Sequence, residues 1–120
     1  MTDQNFHKKM NYFFGAKEAL GFDTVWSMYE FDSINQDIFE KGVKCVCYKF
    51  YSKDATVEEL MNNTAEEIEV SSFADSGSVR DIWKAAESCF QQAKAQGDWH
   101  YFIEDIEINE DGSYELVMGS

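Results

Sequence analysis

The chain has 120 residues, 44% of them hydrophobic and 16% aromatic, with a formal net charge of −13 at pH 7. Such a length and composition predict one domain with a real core, and the absence of any run of about 18 apolar residues argues against a membrane span. So large a negative charge repels nucleic acid and anionic lipid and argues against direct binding to either.

The charge is unevenly spread. Residues 1–53 carry seven acids and seven bases, and residues 80–97 carry two acids and three bases. Residues 54–79 and 98–120 carry seven acids each and no base. Two blocks therefore hold the whole excess. The stretch Met1–Met10 is polar, with Lys8 and Lys9 but no apolar core behind them, unlike a secretory signal. Cys45 and Cys47 lie two apart on one strand and Cys89 falls on a helix, a pattern that suits reduced thiols in a cytosolic protein and no disulfide framework.

In chain order, Asp3–Leu20 reads as a helix capped by Thr2 or Asp3. Phe6, Met10, Phe13, Lys17 and Leu20 recur at helical spacing, and Gly21 stops it. The cluster Tyr12-Phe13-Phe14 reads as core. Asp23–Phe31, rich in β-formers, reads as a strand. Asp32–Gly42 is polar, with a short helical turn near Asp37–Glu40. Val43–Tyr51 reads as an interior strand, since Val43, Cys45, Cys47 and Tyr51 share one face and Val46, Tyr48 and Phe50 the other. Lys44 and Lys49 reach water at its ends. Thr56 and Glu59 form a capping box for a short helix over Thr56–Asn62. In Glu66–Phe73, Ile68 and Val70 alternate with Glu67, Glu69 and Ser71, as on an edge strand guarded by charge. A helix continuing from Thr64 is the competing reading. Ser78 caps the strongest helix, Ser78–Gln96, whose stripe is Val79, Ile82, Ala86, Cys89, Phe90 and Ala93, and Gly97 ends it.

The strand after Gly97 changes parity. Tyr101 and Ile103 share one face by count, Ile106 and Ile108 the other, so either a bulge lies near Glu104-Asp105 or that half is buried on both sides. Ile106, Ile108, Tyr114, Leu116 and Met118 then line the buried side of a C-terminal hairpin. A two-residue Asp111-Gly112 loop would mix the faces. A three-residue loop, Glu110-Asp111-Gly112 with Gly112 left-handed, sets Ile108 opposite Tyr114 and Ile106 opposite Leu116. It also sets Glu107 opposite Glu115, a like-charge pair that costs stability and that a basic partner would relieve. The whole reads as a single α+β domain over residues 1–120, a mostly antiparallel sheet of about five strands with helices packed on it.

No catalytic motif appears. His7 and His100 lack partners at metal spacing; His100, beside Trp99 and near Glu104, reads as a satisfied structural histidine before a general base. Glu104, Asp105 and Glu107 suit a divalent cation on a small metal-dependent hydrolase, yet an acidic hairpin face accounts for them without metal. Cys89 sits on an apolar stripe, the wrong place for a nucleophile. What survives is acid interleaved with aromatics. Its plain meaning is solubility. Its functional meaning is a face that docks on a basic protein, with Trp99 and Tyr101 as anchors. Asp105, Glu107, Glu110, Asp111 and Glu115 supply the charge from one block, and Glu66, Glu67 and Glu69 from the other.

The ending Asp111-Gly112-Ser113-Tyr114-Glu115-Leu116-Val117-Met118-Gly119-Ser120, after an acidic aromatic strand, resembles the close of small bacterial immunity proteins of contact-dependent growth inhibition and related polymorphic toxin systems. The resemblance implies a cytoplasmic binding protein, not an enzyme, that needs no cofactor and neutralises a cognate toxin, often a basic nuclease. It implies no particular topology and no contact residues. The alternative expectation is a phage-encoded nucleic-acid mimic that blocks a host defence protein.

Overall fold

The structure, a computed structural model, describes residues 2–29, 31, 33–37, 45–52 and 54–119. The elements in order are α1 (Thr2–Leu20), β1 (Val25–Trp26), β2 (Cys45–Tyr51), α2 (Val57–Met61), β3 (Glu67–Phe73), α3 (Val79–Ala95), β4 (Phe102–Ile108) and β5 (Tyr114–Gly119). They build a single α+β domain. The helical turn expected at Asp37–Glu40 and the strand start at Val43 and Lys44 fall largely outside the described residues, as do the side chains of Thr2 and Asp3, the expected cap of α1.

The strands form one sheet in the order β1–β4–β5–β2–β3. It is mixed, which corrects the expectation of a mostly antiparallel sheet. The pairs β2–β3 and β4–β5 are antiparallel, whereas β1–β4 and β5–β2 are parallel. The reason is connectivity. β2 with β3 and β4 with β5 pair antiparallel, but these two pairs are joined through α3, and a helical crossover lets β5 enter beside β2 in the same direction. β3 lies at the sheet edge, as its guarded charge predicts.

The hairpin has the register chosen from the apolar pattern: Ile108 faces Tyr114, Ile106 faces Leu116 and Glu107 faces Glu115. Gly112 at φ +88° closes the three-residue loop, and its N–H donates to the Asn109 carbonyl at 3.0 Å. The Asp111 carboxylate accepts from both the Ser113 N–H (2.9 Å) and hydroxyl (2.6 Å), so Asp111 is engaged in the turn. A register shift between Ile103 and Asp105 supplies the bulge. It returns Ile103, Ile106 and Ile108 to one face and resolves the parity change.

Burial along that face departs from expectation. Tyr114 (0%) and Leu116 (4%) are buried, but Ile108 is 64% exposed, and Ile106 and Met118 are half-buried. Ile103, at 0%, takes the deep position instead. β1 is also shorter than its run of β-formers suggests. A nine-residue strand was expected over Asp23–Phe31, yet only Val25 and Trp26 pair, with Phe102 and Ile103. Beyond Trp26 the chain turns, and the Trp26 indole donates to the Met28 carbonyl at 3.1 Å. From Asp105 onward no strand among the described residues pairs with the outer side of β4.

α3 packs across β2 and β3, and α1 against β1, on one side of the sheet. The predicted stripe of α3 is buried throughout, together with Trp83 and Ala85. Ser78 caps it by accepting from the Asp81 N–H at 3.2 Å. The capping box of α2 also forms, with the Glu59 N–H donating to Thr56 Oγ1 and the Thr56 N–H to Glu59 Oε1. Among the described side chains of α1, Phe13 is the buried one, packed near Trp26 and Trp83. Tyr12 and Phe14 are both 41% exposed, so the aromatic cluster is not all core. The Tyr12 hydroxyl instead accepts from the Ile34 N–H at 3.0 Å and tethers the segment after β1.

A carboxylate that sequence reading did not single out clamps β1 to α3. Glu87 Oε1 accepts from the Thr24 N–H (2.9 Å) and hydroxyl (2.7 Å), and both Glu87 oxygens accept from the Asp23 N–H. Thr24 is fully buried, and its hydroxyl in turn accepts from the Trp83 indole at 3.0 Å.

Candidate binding face

With both long helices on one side, the opposite side of the sheet is uncovered among the described residues. Strand alternation assigns its occupants. They are Cys45, Cys47, Lys49 and Tyr51 on β2, Glu67, Glu69, Ser71 and Phe73 on β3, Glu115 and Val117 on β5, and Phe102, Asp105 and Glu107 on β4. On β2 Cys47 is buried and Lys49 reaches water, both as expected, whereas Tyr51, read with the apolar face, is exposed.

Parts of the two acidic blocks, far apart in sequence, thus meet on one surface: Glu67 and Glu69 from one, Asp105, Glu107 and Glu115 from the other. Glu69 lies opposite Lys49, Glu115 is next on β5, and Glu107 lies opposite Glu115 on β4. The Lys49 ammonium is 3.9 Å from Glu69 and 3.8 Å from Glu115. Lys49 is the one base among the described strand residues of this face. It partly neutralises Glu115, and Glu107 is left facing a shared carboxylate. The sequence predicts only that Lys49 reaches water; no feature of its own neighbourhood in sequence shows it joining acids of the two blocks.

The remaining expected residues separate. Glu67 and Asp105 belong to the same face and are exposed; Glu66 precedes β3 and Glu110 lies at the hairpin tip, both exposed. Asp111 is spent on the turn, and its bonds to Ser113 hold the carboxyl below the usual range. Trp99 (61%) and Tyr101 (41%) are exposed on the connection into β4, off the sheet face. Phe73 (73%) and Tyr51 (53%) are the large apolar side chains the face itself exposes, and both escaped the sequence reading. Phe73 shares parity with Glu67 and Glu69, the one signal that could have found it. Cys47 sits beneath the acids; burial, then Glu69 and Glu115, push its thiol up.

The metal reading lacks a cluster. Among the described residues, no three His, Cys, Asp or Glu side chains come together to hold an ion. The bulge separates Glu104, whose carboxylate lies over Gly119, from Asp105 and Glu107.

His100 is held by Asp98 and not by Glu104. Its Nδ1 is 2.9 Å from Asp98 Oδ1, and the other Asp98 oxygen accepts from the Tyr48 hydroxyl at 2.9 Å. The Asp98 side chain is 6% exposed, and burial followed by the Asp98 bond raises the Tyr48 phenol well above its ordinary range. Trp99 stacks on His100 at 4.2 Å. These groups border a cleft of about 520 Å³ at the Tyr51 end of β2. No helix among the described residues is long and apolar enough to cross a membrane. No protein-family model, curated protein or solved structure matches the chain.

Proposed function

We propose that this chain is a recognition protein that docks its open sheet face on a basic surface of a partner protein, in the manner of an immunity protein neutralising a basic toxin such as a nuclease. One observation carries the reading: acids from both blocks, Glu67 and Glu69 with Asp105, Glu107 and Glu115, share one face that is uncovered among the described residues, where Lys49 bridges Glu69 and Glu115 and Tyr51 and Phe73 are exposed. Charge of one sign concentrated on one face steers a partner of the other sign into encounter. Exposed aromatics beside it supply area that excludes water once docked. A surface built only for solubility has no reason to leave Glu107 and Glu115 opposed across the β4–β5 ladder, since dispersed acids serve as well at no cost.

The test uses the partner recovered from the native host with tagged protein. The variant Glu69→Gln/Glu107→Gln/Glu115→Gln is expected to associate roughly tenfold more slowly at low salt, with the defect shrinking as salt screens the face. Equal association rates for variant and wild type at low salt would remove this face from the interface.

A further inference from the structure

We infer that the cleft between β2 and β5 receives an arginine side chain of the basic partner; this rests on the docking reading above. The cleft exists because the sheet opens. The parallel ladder of β2 with β5 is registered only at Val46–Tyr114 and Cys47–Glu115, although β2 continues to Tyr51 and β5 to Gly119. Tyr48 to Ser52 form one wall, Met118 stands across the gap, and Gly97 to His100 close the end.

The lining selects a cation with a flat, polarisable face. Phe50, Tyr51 and Trp99 contribute aromatic surface, and Glu67 contributes the exposed carboxylate, while the oxygens of Asp98 are engaged by His100 and Tyr48. Lys49 also borders the cleft, but its ammonium is directed at Glu69 and Glu115 on the sheet face. An anion would meet Glu67 and Asp98 in a chain of net charge −13. A neutral apolar group would leave Glu67 without a role. A guanidinium satisfies both features, because it stacks on an aromatic face and donates in a planar fork to a carboxylate.

The indole is also preorganised. Trp26 and Trp83 are 1% and 0% exposed, whereas Trp99 is 61% exposed. Despite that exposure it is not loose, since it stacks on His100, His100 is pinned by Asp98, and Asp98 is fixed by Tyr48. A buried polar network that steadies a solvent-facing indole contributes little to a core. It does lower the ordering cost of binding something against that indole.

The probe is a short neutral-ended peptide containing one arginine, with its citrulline counterpart as control, added to ¹⁵N-labelled protein. The indole N–H signal of Trp99 is identified by its loss in Trp99→Phe. The arginine peptide is expected to shift that signal saturably, with Kd on the order of 1 mM for so small a ligand. It should leave Trp26 and Trp83 unmoved. The citrulline peptide should do nothing. Glu67→Gln should weaken binding several-fold, while Glu107→Gln/Glu115→Gln should not change it. No shift of Trp99, an equal shift with citrulline, or a shift with inorganic phosphate instead would each overturn the assignment. The two readings fail separately. If the sheet-face variant associates normally while the arginine peptide still shifts Trp99, the open-face reading falls and the cleft stands. If the sheet-face variant slows association but Trp99→Phe leaves dissociation of the partner unchanged, the cleft falls alone.

Discussion

Removing the Glu87 side chain tests the account of how β1 is held. In Glu87→Ala, the Thr24 N–H and hydroxyl lose their common acceptor. Thr24 is 0% exposed, so water does not replace it without local opening. Each buried donor left unmade costs about 1–3 kcal/mol. The Asp23 N–H adds little, because it lies at the surface and water can take over. Two effects offset part of the loss. The Gln91 amide, which now bridges Asp23 (2.7 Å) and Glu87 (2.8 Å), is freed to move. The Asp23 carboxylate also loses a like-charged neighbour. The expected net loss is about 2–4 kcal/mol, a large share of the roughly 5–15 kcal/mol that stabilises a domain. For a chain of this length that is a fall in Tm of roughly 8–15 °C. Calorimetry and urea unfolding at pH 7 provide the measurement, with an unchanged m-value showing that only stability moved. Glu87→Gln keeps an acceptor oxygen and should lose less. If Glu87→Ala melts within about 0.5 kcal/mol of wild type, the clamp is not what fixes β1, given that ordinary surface substitutions fall in that range.

Three further outcomes are expected. Ile103→Ala should cost about 2–5 kcal/mol as a deep core truncation, and Ile106→Ala clearly less because that side chain is only half-buried; equal losses in urea unfolding would contradict the shallower burial of Ile106. Thiol titration at pH 8 should show one accessible cysteine, Cys45, in the folded protein and three in denaturant, because Cys47 is buried under two carboxylates and burial pushes the Cys89 thiol up to about 12; rapid reaction of all three in the folded state would contradict this packing. Lys49→Met should destabilise by about 1 kcal/mol or less at low salt, since both of its ion pairs are solvent-exposed, and Glu107→Gln should stabilise by a few tenths; thermal melts whose differences persist unchanged in 1 M salt would rule out a charge origin.

Features that depend on neighbours along the chain were legible in the sequence. The cap at Ser78, the box of Thr56 and Glu59, the apolar stripe of α3, the left-handed Gly112 and the hairpin register all follow from spacing, because their partners lie within a few residues. The bulge was legible too, as a change of parity between Ile103 and Ile106. The open face was legible only as two acidic blocks. Nothing local places Glu69 beside Lys49 and Lys49 beside Glu115, for those neighbours belong to three strands and one of the pairings crosses a parallel ladder. Alternation along one strand cannot reveal which strand lies next to it. For the same reason the mixed sheet, the brevity of β1 and the Glu87 clamp were decided by tertiary structure. The Tyr48–Asp98–His100 network joins residues 50 apart in sequence, so it too arose only when the sheet assembled. The amino-acid sequence determined the elements, their caps and the side chains that share a strand face; the assembled sheet determined which strands lie side by side, and with that the face on which Glu67, Glu69, Asp105, Glu107 and Glu115 come together.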